Sequence, residues 1–261
     1  MKPLAHRSLF LPVVGALIAL AWVTLFVWER SPYGRYLSHA ELGHLDLATG
    51  VEPVAVQAAL YVAGWMLMTV AMMLPTTLPL LEIFRRLTRD RADRGRLVLL
   101  LVCGYLAVWL AFGMAAHVFD LGLHKLFDRS GWLQANPWVF GAAPLLVAGA
   151  FQFSDLKYRC LEKCRTPLSF VMEHWRGRRE SLQAFALGAS HGIFCVGCCW
   201  ALMLLMFAVG TGSIGWMLVL GAVMAIEKNM PWGRKLSAPL GAVLIAWGAL
   251  IVLNHSWSWQ G

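Results

Sequence analysis

The residues best suited to chemistry lie on one face of an apolar segment in the second half of the chain. His191, Cys195, Cys198 and Cys199 have the spacing i, i+4, i+7 and i+8, which places them on one side of a helix. Met203 continues the same face. We call these five residues the stripe. An imidazole inside an apolar helix is costly and usually faces the interior of a bundle. The stripe therefore predicts metal or redox chemistry, with plain packing of small hydrophobic cysteines as the alternative.

A methionine-rich segment is expected to face the stripe. Its string MLMTVAMMLP contains Met72 and Met73, and Pro75 frees a backbone carbonyl at its end. The midpoint of this segment, near Thr69, and the midpoint of the stripe segment, near Val196, lie at similar depth if both cross a membrane. If the two helices touch, thioethers can face thiols.

A second pair of thiols precedes the stripe. Cys160 and Cys164 are four residues apart, on one face of a helix, and basic residues flank them and are expected to favour thiolates. The pair is expected to face the reducing cytoplasm, where a structural disulfide is disfavoured, and its spacing is not C-x-x-C. We interpret it as a metal uptake or hand-off site. A reactive dithiol and inert surface cysteines remain alternatives.

Soft sulfur ligands narrow the choice of metal. Thiolates and thioethers select Cu(I), Zn(II) or iron–sulfur clusters over Mg(II) and Ca(II). The C-x-x-C-C spacing of residues 195–199 matches no ferredoxin pattern. Zinc would suit Cys and His but leaves the methionines without a role. Cu(I) is therefore the first expectation, and Zn(II) the second.

Seven apolar segments must position these residues. The chain of 261 residues is 59% hydrophobic and 14% charged, which excludes a single soluble core, a disordered chain and a disulfide scaffold. We predict an all-α, polytopic transmembrane helix bundle forming one domain over 1–261. Its spans are predicted at 9–28, 57–81, 97–118, 138–156, 184–208, 213–230 and 236–253. Gly188 and Gly192 permit close helix approach, so the fifth span should be central.

The basic residues indicate the orientation. The net charge is +8, with 22 Lys and Arg. With the N-terminus in the cytoplasm and the C-terminus outside, the loops on the outer side hold only Arg30, Arg35, Lys125 and Arg129. All other Lys and Arg then lie on the cytoplasmic side, as the positive-inside rule requires. The charge thus reflects topology and a lipid bilayer as partner, with no nucleic-acid partner. Glu227, at the inner end of the sixth span, is expected to pair with Lys228 or an arginine.

Four strings resemble a bacterial family of predicted metal-binding integral membrane proteins of unknown function, sometimes labelled copper chaperones. They are TVAMMLP (69–75), QFSDLKYRCLEKCRTPLSF (152–170), GASHGIFCVGCCWALMLLMFAVG (188–210) and WMLVLGAVMAIEKNMPWG (216–233). The resemblance covers about 66–233. It implies a multi-pass protein of the bacterial inner membrane that binds a metal.

These observations predict a protein that binds Cu(I) for trafficking or for hand-off to a membrane copper enzyme. The expected metal ligands are His191, Cys195, Cys198, Cys199, Met203, Met72, Met73, Cys160 and Cys164. A copper donor or acceptor protein would be its partner. A metal transporter is the near alternative, although no P-loop is present to drive pumping. A membrane thiol or metal-dependent oxidoreductase is less favoured, because no disulfide-cycling motif is evident. A bundle whose cysteines only pack is the third alternative.

Overall fold

The structure is a computed structural model that describes residues 10–31, 54–177, 179–209 and 214–258. All regular elements in these ranges are helical, which confirms the predicted all-α class. In chain order the α-helices are α1 Phe10–Glu29, α2 Val54–Met72, α3 Leu78–Leu87, α4 Arg94–Arg129, α5 Gly131–Ala135, α6 Trp138–Phe151, α7 Asp155–Arg165, α8 Pro167–His174, α9 Glu180–Val209, α10 Ile214–Asn229 and α11 Ser237–Ser258. Short 3₁₀ turns at Pro75–Thr77 and Gly233–Leu236 precede α3 and α11.

Four helices are long and apolar enough to cross a membrane, and two bent pairs would raise the number to six. The four segments are Pro12–Glu29, Arg94–Arg129, Glu180–Met206 and Gly233–His255. The bent pairs are Ala59–Met72 with Pro75–Leu87, at 44°, and Trp138–Phe151 with Asp155–Arg165, at 64°. The predicted sixth span begins outside the described residues, and its helix α10 has 16 described residues. Seven spans and their orientation therefore stay a prediction.

The second predicted span, 57–81, is not one straight helix. Pro75 has no backbone N–H to continue the ladder, and the chain turns through a 3₁₀ segment before α3 begins. The Thr76 hydroxyl donates to the Met73 carbonyl at 2.7 Å, and the Thr77 hydroxyl donates to the Leu74 carbonyl at 2.8 Å. These bonds satisfy buried carbonyls next to the proline, so the break is a stable feature of the interior.

Helices α4 and α9 pack backbone against backbone at two glycines. A Cβ atom on Gly104 would lie 2.1 Å from the Phe185 carbonyl oxygen, and one on Gly188 would lie 1.9 Å from the Leu101 carbonyl oxygen. Only glycine allows two backbones to approach this closely. Helix α9 is also the most buried of the four single candidate spans and contacts α6, α7 and α10 besides α4. Its central position agrees with the expectation from Gly188 and Gly192.

We expect Gly188→Ala to lower the stability of the bundle, because the new methyl group would meet a backbone oxygen that no side-chain rotation can move. Overpacking of this kind costs about 1–3 kcal/mol. Gly122→Ala, also within a long helix, is the matched control, since nothing lies within 4 Å of its Cβ position. Its thermal unfolding in detergent, followed by circular dichroism, should match or exceed the parent. Equal melting temperatures for the two variants would contradict the close packing.

Candidate metal centre

The cysteines of α9 face the interior of the bundle. Cys195, Cys198 and Cys199 are each at most 2% exposed. The thiols of Cys198 and Cys199 donate to the Cys195 carbonyl at 3.1 and 2.9 Å. The i, i+3 and i+4 spacing thus gathers three sulfurs around one turn of helix, on the side that faces α4 and α7.

The end of α2 brings a thioether to these thiols. Met73, fully buried just beyond α2, has its Sδ 3.9 Å from the Cys199 Sγ. From α4, the Tyr105 hydroxyl forms a hydrogen bond of 3.0 Å with the Cys195 Sγ and lies 3.4 Å from the Met73 carbonyl. Elements separated by more than 120 residues in sequence therefore contribute to one sulfur site.

Helix α7 adds the second pair of cysteines to the same site. Cys164 lies in the same buried cluster as Cys195 and Cys198. Cys160 covers Gly197, where a Cβ atom would lie 2.6 Å from the Cys160 Sγ. Cys160 and Cys164 are 8% and 9% exposed. Cys160 and Cys164 thus pack against the α9 cysteines, because the 64° bend between α6 and α7 folds this face onto α9. Their expected placement on the cytoplasmic side stays a prediction.

The basic residues beside this pair point to other partners. Lys163 donates to a Glu173 carboxylate oxygen at 2.8 Å, and this hydrogen bond holds the pKa of the Glu173 carboxyl below its usual value. Arg165 donates to the carbonyl oxygens of Glu227 and Pro231, and Arg159 is exposed. These cations anchor α7 to its neighbours. They do not form hydrogen bonds with the thiols in the described part of the chain.

A buried lysine supplies the positive charge at the sulfurs instead. Lys228, 5% exposed at the end of α10, has its Nζ 2.9 Å from the Cys195 Sγ. The same nitrogen lies 3.7 Å from the Met73 Sδ and 3.8 Å from the Cys199 Sγ. Across the described ranges no carboxylate pairs with Lys228. The sequence interpretation named Lys228 only as a possible partner of Glu227 and missed its place at the sulfurs, although a charged side chain within a span is itself a signal of function.

The neighbouring residue Glu227 belongs to a second buried polar cluster. Its carboxylate accepts from the Lys157 Nζ at 2.8 and 2.9 Å and from the Ser237 hydroxyl at 2.6 Å. The Lys157 ammonium, fully buried, also donates to the Gln152 side-chain oxygen. The expected pairing of Glu227 with Lys228 or an arginine side chain is therefore wrong, because the Glu227 carboxylate forms its ion pair with Lys157 of α7. This ion pair fixes α7 against α10 and α11.

The remaining predicted ligands lie in the same core but outside these contacts. The His191 ring packs beside the rings of Tyr105 and Phe170, with centroids 5.9 and 5.4 Å away, and its Nδ1 has no hydrogen-bond partner among the described residues. Met203 is fully buried one turn beyond Cys199. Met72 packs against Gly221 of α10. The two adjacent methionines therefore face different neighbours, and Met73 is the one at the thiols.

The buried sulfurs are candidate donors for a soft metal. Among the His, Cys, Asp and Glu side chains of the described ranges, no group of three is arranged to hold a metal ion. The Met73 thioether enlarges the donor set, because it lies beside the Cys199 thiol. The sulfurs of Met73, Cys195 and Cys199 all lie within 4 Å of the Lys228 Nζ. With metal–sulfur bonds of about 2.3 Å, the sulfurs of a trigonal site lie about 4 Å apart. The 3.9 Å separation of Met73 and Cys199 matches one edge of such a triangle.

We expect Glu227→Gln to destabilise the protein strongly, because it leaves the Lys157 ammonium buried without a counter-charge. Removing one partner of a buried ion pair costs about 3–5 kcal/mol. The matched control is Glu162→Gln, whose partner Arg234 lies 3.9 Å away with both side chains more than half exposed. That change should cost at most about 1 kcal/mol. Thermal unfolding in detergent measures both, and similar losses would contradict a buried Lys157–Glu227 pair.

One comparison with known proteins includes the residues of the candidate site. No curated protein and no solved structure matches the chain. A family model described as "PpoB2: Copper chaperone" matches residues 62–251, which include the stripe, Met72 and Met73, the Cys160–Cys164 pair and Lys228. This match covers most of the chain and confirms the resemblance noted in its strings. The chain belongs to the PpoB2 copper chaperone family.

Proposed function

We propose that this protein is an integral membrane carrier that binds Cu(I) at its buried sulfurs and passes the ion to a membrane copper enzyme. The observation that carries this proposal is the convergence of Cys195, Cys199 and Met73 within one buried site. Two thiols and a thioether are soft donors, and soft donors favour Cu(I) over hard divalent cations. The family match supports copper as the cargo.

The arrangement of the thiols also supports transfer. Cys160 and Cys164 on α7 lie in one buried cluster with Cys195, Cys198 and Cys199 on α9, and Cys199 adjoins Met73. A Cu(I) ion can pass between such neighbouring sulfurs by exchanging one sulfur ligand for the next, without a free ion or a redox step. We infer that α7 is the receiving end, because its helix joins the basic, predicted cytoplasmic side. The stripe then holds the ion at the depth of the bundle core.

Membrane placement is supported by the apolar surfaces of the helices. Large hydrophobic side chains such as Leu20, Val118, Leu182 and Leu250 are more than half exposed on candidate spans. A water-soluble bundle would bury such residues, whereas a lipid bilayer covers them. We propose a multi-pass protein of the bacterial inner membrane, with seven spans and the N-terminus in the cytoplasm.

We expect Cys195→Ser and Cys199→Ser to weaken Cu(I) binding at least tenfold each, because a hydroxyl is a poor ligand for a soft ion. The protein would be purified without oxygen, loaded with Cu(I) and assayed by mass spectrometry of bound metal and by competition with a chromogenic chelator. Cys103→Ser is the control, since Cys103 is exposed on α4, away from the stripe. Unchanged copper content in both site variants, or none in the parent protein, would refute the proposal.

The proposed orientation predicts which residues an impermeant thiol reagent can reach. In a Cys103→Ser background, Arg89→Cys marks the basic loop after α3, and Lys125→Cys marks the opposite end of α4. In spheroplasts, an impermeant maleimide should label Lys125→Cys alone, and both variants should react after permeabilisation. Labelling of Arg89→Cys in intact spheroplasts would reverse the orientation.

A further inference from the structure

We propose that Lys228 is the built-in counter-cation of the copper site and that its single positive charge makes the site select Cu(I) over Zn(II). This inference rests on the proposed copper function, and it assigns the metal preference to a residue that is not itself a ligand. Three of the candidate ligand sulfurs lie within 4 Å of the Lys228 Nζ, so its charge acts directly on the bound ion.

Among the described residues, no carboxylate pairs with Lys228, and its positive charge faces the sulfurs. Its neighbour Glu227 could have neutralised it, but the Glu227 carboxylate is turned to Lys157 and Ser237. The Lys157–Glu227 pair is itself neutral. The Tyr105 hydroxyl, which reaches the same Cys195 sulfur, carries no formal charge as a phenol. Burying an uncompensated ammonium costs several kcal/mol, so a lysine at this position requires an anionic partner.

Counting charges shows which ion fits. A thiol loses its proton when it becomes a metal ligand, so Cys195 and Cys199 contribute two negative charges and Met73 none. Cu(I) on these three sulfurs has a net charge of −1, and Lys228 brings the buried site to zero. Zn(II) on the same sulfurs is already neutral, and Lys228 leaves the site with a net charge of +1. Because an unbalanced charge is costly in an apolar interior, the lysine favours the monovalent ion.

The test compares Cu(I) and Zn(II) affinities of the full-length protein in detergent, each by competition with a chelator specific for that ion. Lys228→Gln removes the charge, keeps an unbranched side chain and adds no sulfur donor. We expect its Cu(I) affinity to fall at least tenfold and its Cu(I)-to-Zn(II) affinity ratio to fall by a larger factor. Lys228→Arg keeps the charge and should retain most of the ratio. Lys235→Gln, the same exchange at an exposed lysine, should behave as the parent.

A second variant tests the charge count without touching the lysine. Met73→Cys adds a third thiolate, so Zn(II) together with Lys228 becomes neutral and Cu(I) becomes −1. We expect this variant to shift the affinity ratio toward Zn(II) at least tenfold, and the answer does not depend on whether Lys228→Gln folds. An unchanged ratio in Met73→Cys, or an unchanged or raised ratio in a folded Lys228→Gln, would overturn the inference. Failure of the parent protein to bind Cu(I) would instead refute the proposed function.

Discussion

The backbone contact between α4 and α9 is the constraint on which the rest of the site depends. At Gly104 and Gly188 the two helices approach so closely that a single methyl group would overlap a carbonyl oxygen. Tyr105 follows Gly104 directly, so this contact sets its hydroxyl against the Cys195 sulfur. If the helices were further apart, the hydroxyl would not reach the thiol.

Two buried charged residues lie next to each other in this interior and serve different clusters. Glu227 and Lys228 are adjacent on α10, yet each belongs to a different buried cluster: the carboxylate pairs with Lys157 of α7, and the ammonium contacts sulfurs of α9 and Met73. One short segment therefore anchors α7 and supplies the charge at the thiols. Any movement of α7 that exposed its cysteines would also have to disrupt the Lys157–Glu227 pair. The integrity of the candidate copper site and the docking of α7 are in this way linked.

A copper carrier must bind its ion firmly and still release it. A site with few ligands, one of them a thioether, and with further thiols beside it allows both binding and release. Each exchange step replaces one sulfur ligand with another of similar affinity. In the proposed site, the positive charge of Lys228 would keep the Cu(I)-bound state neutral in an apolar environment. The proposed site would not need the rigid four-ligand cage that a structural zinc site requires.

The sequence by itself determined the all-α class, the apolar segments, the family and the gathering of three cysteines on one face of α9. These follow from local rules: hydrophobic length, helical period and short motifs. Only the tertiary structure decided that Cys160 and Cys164 join the stripe, that Met73 and not Met72 meets Cys199, and that Lys228 and not Glu227 reaches the sulfurs. Adjacent residues on a helix point in directions about 100° apart. Which of two neighbours faces a distant partner depends on how the helices bend and rotate against one another, and spacing along one chain segment does not contain that information.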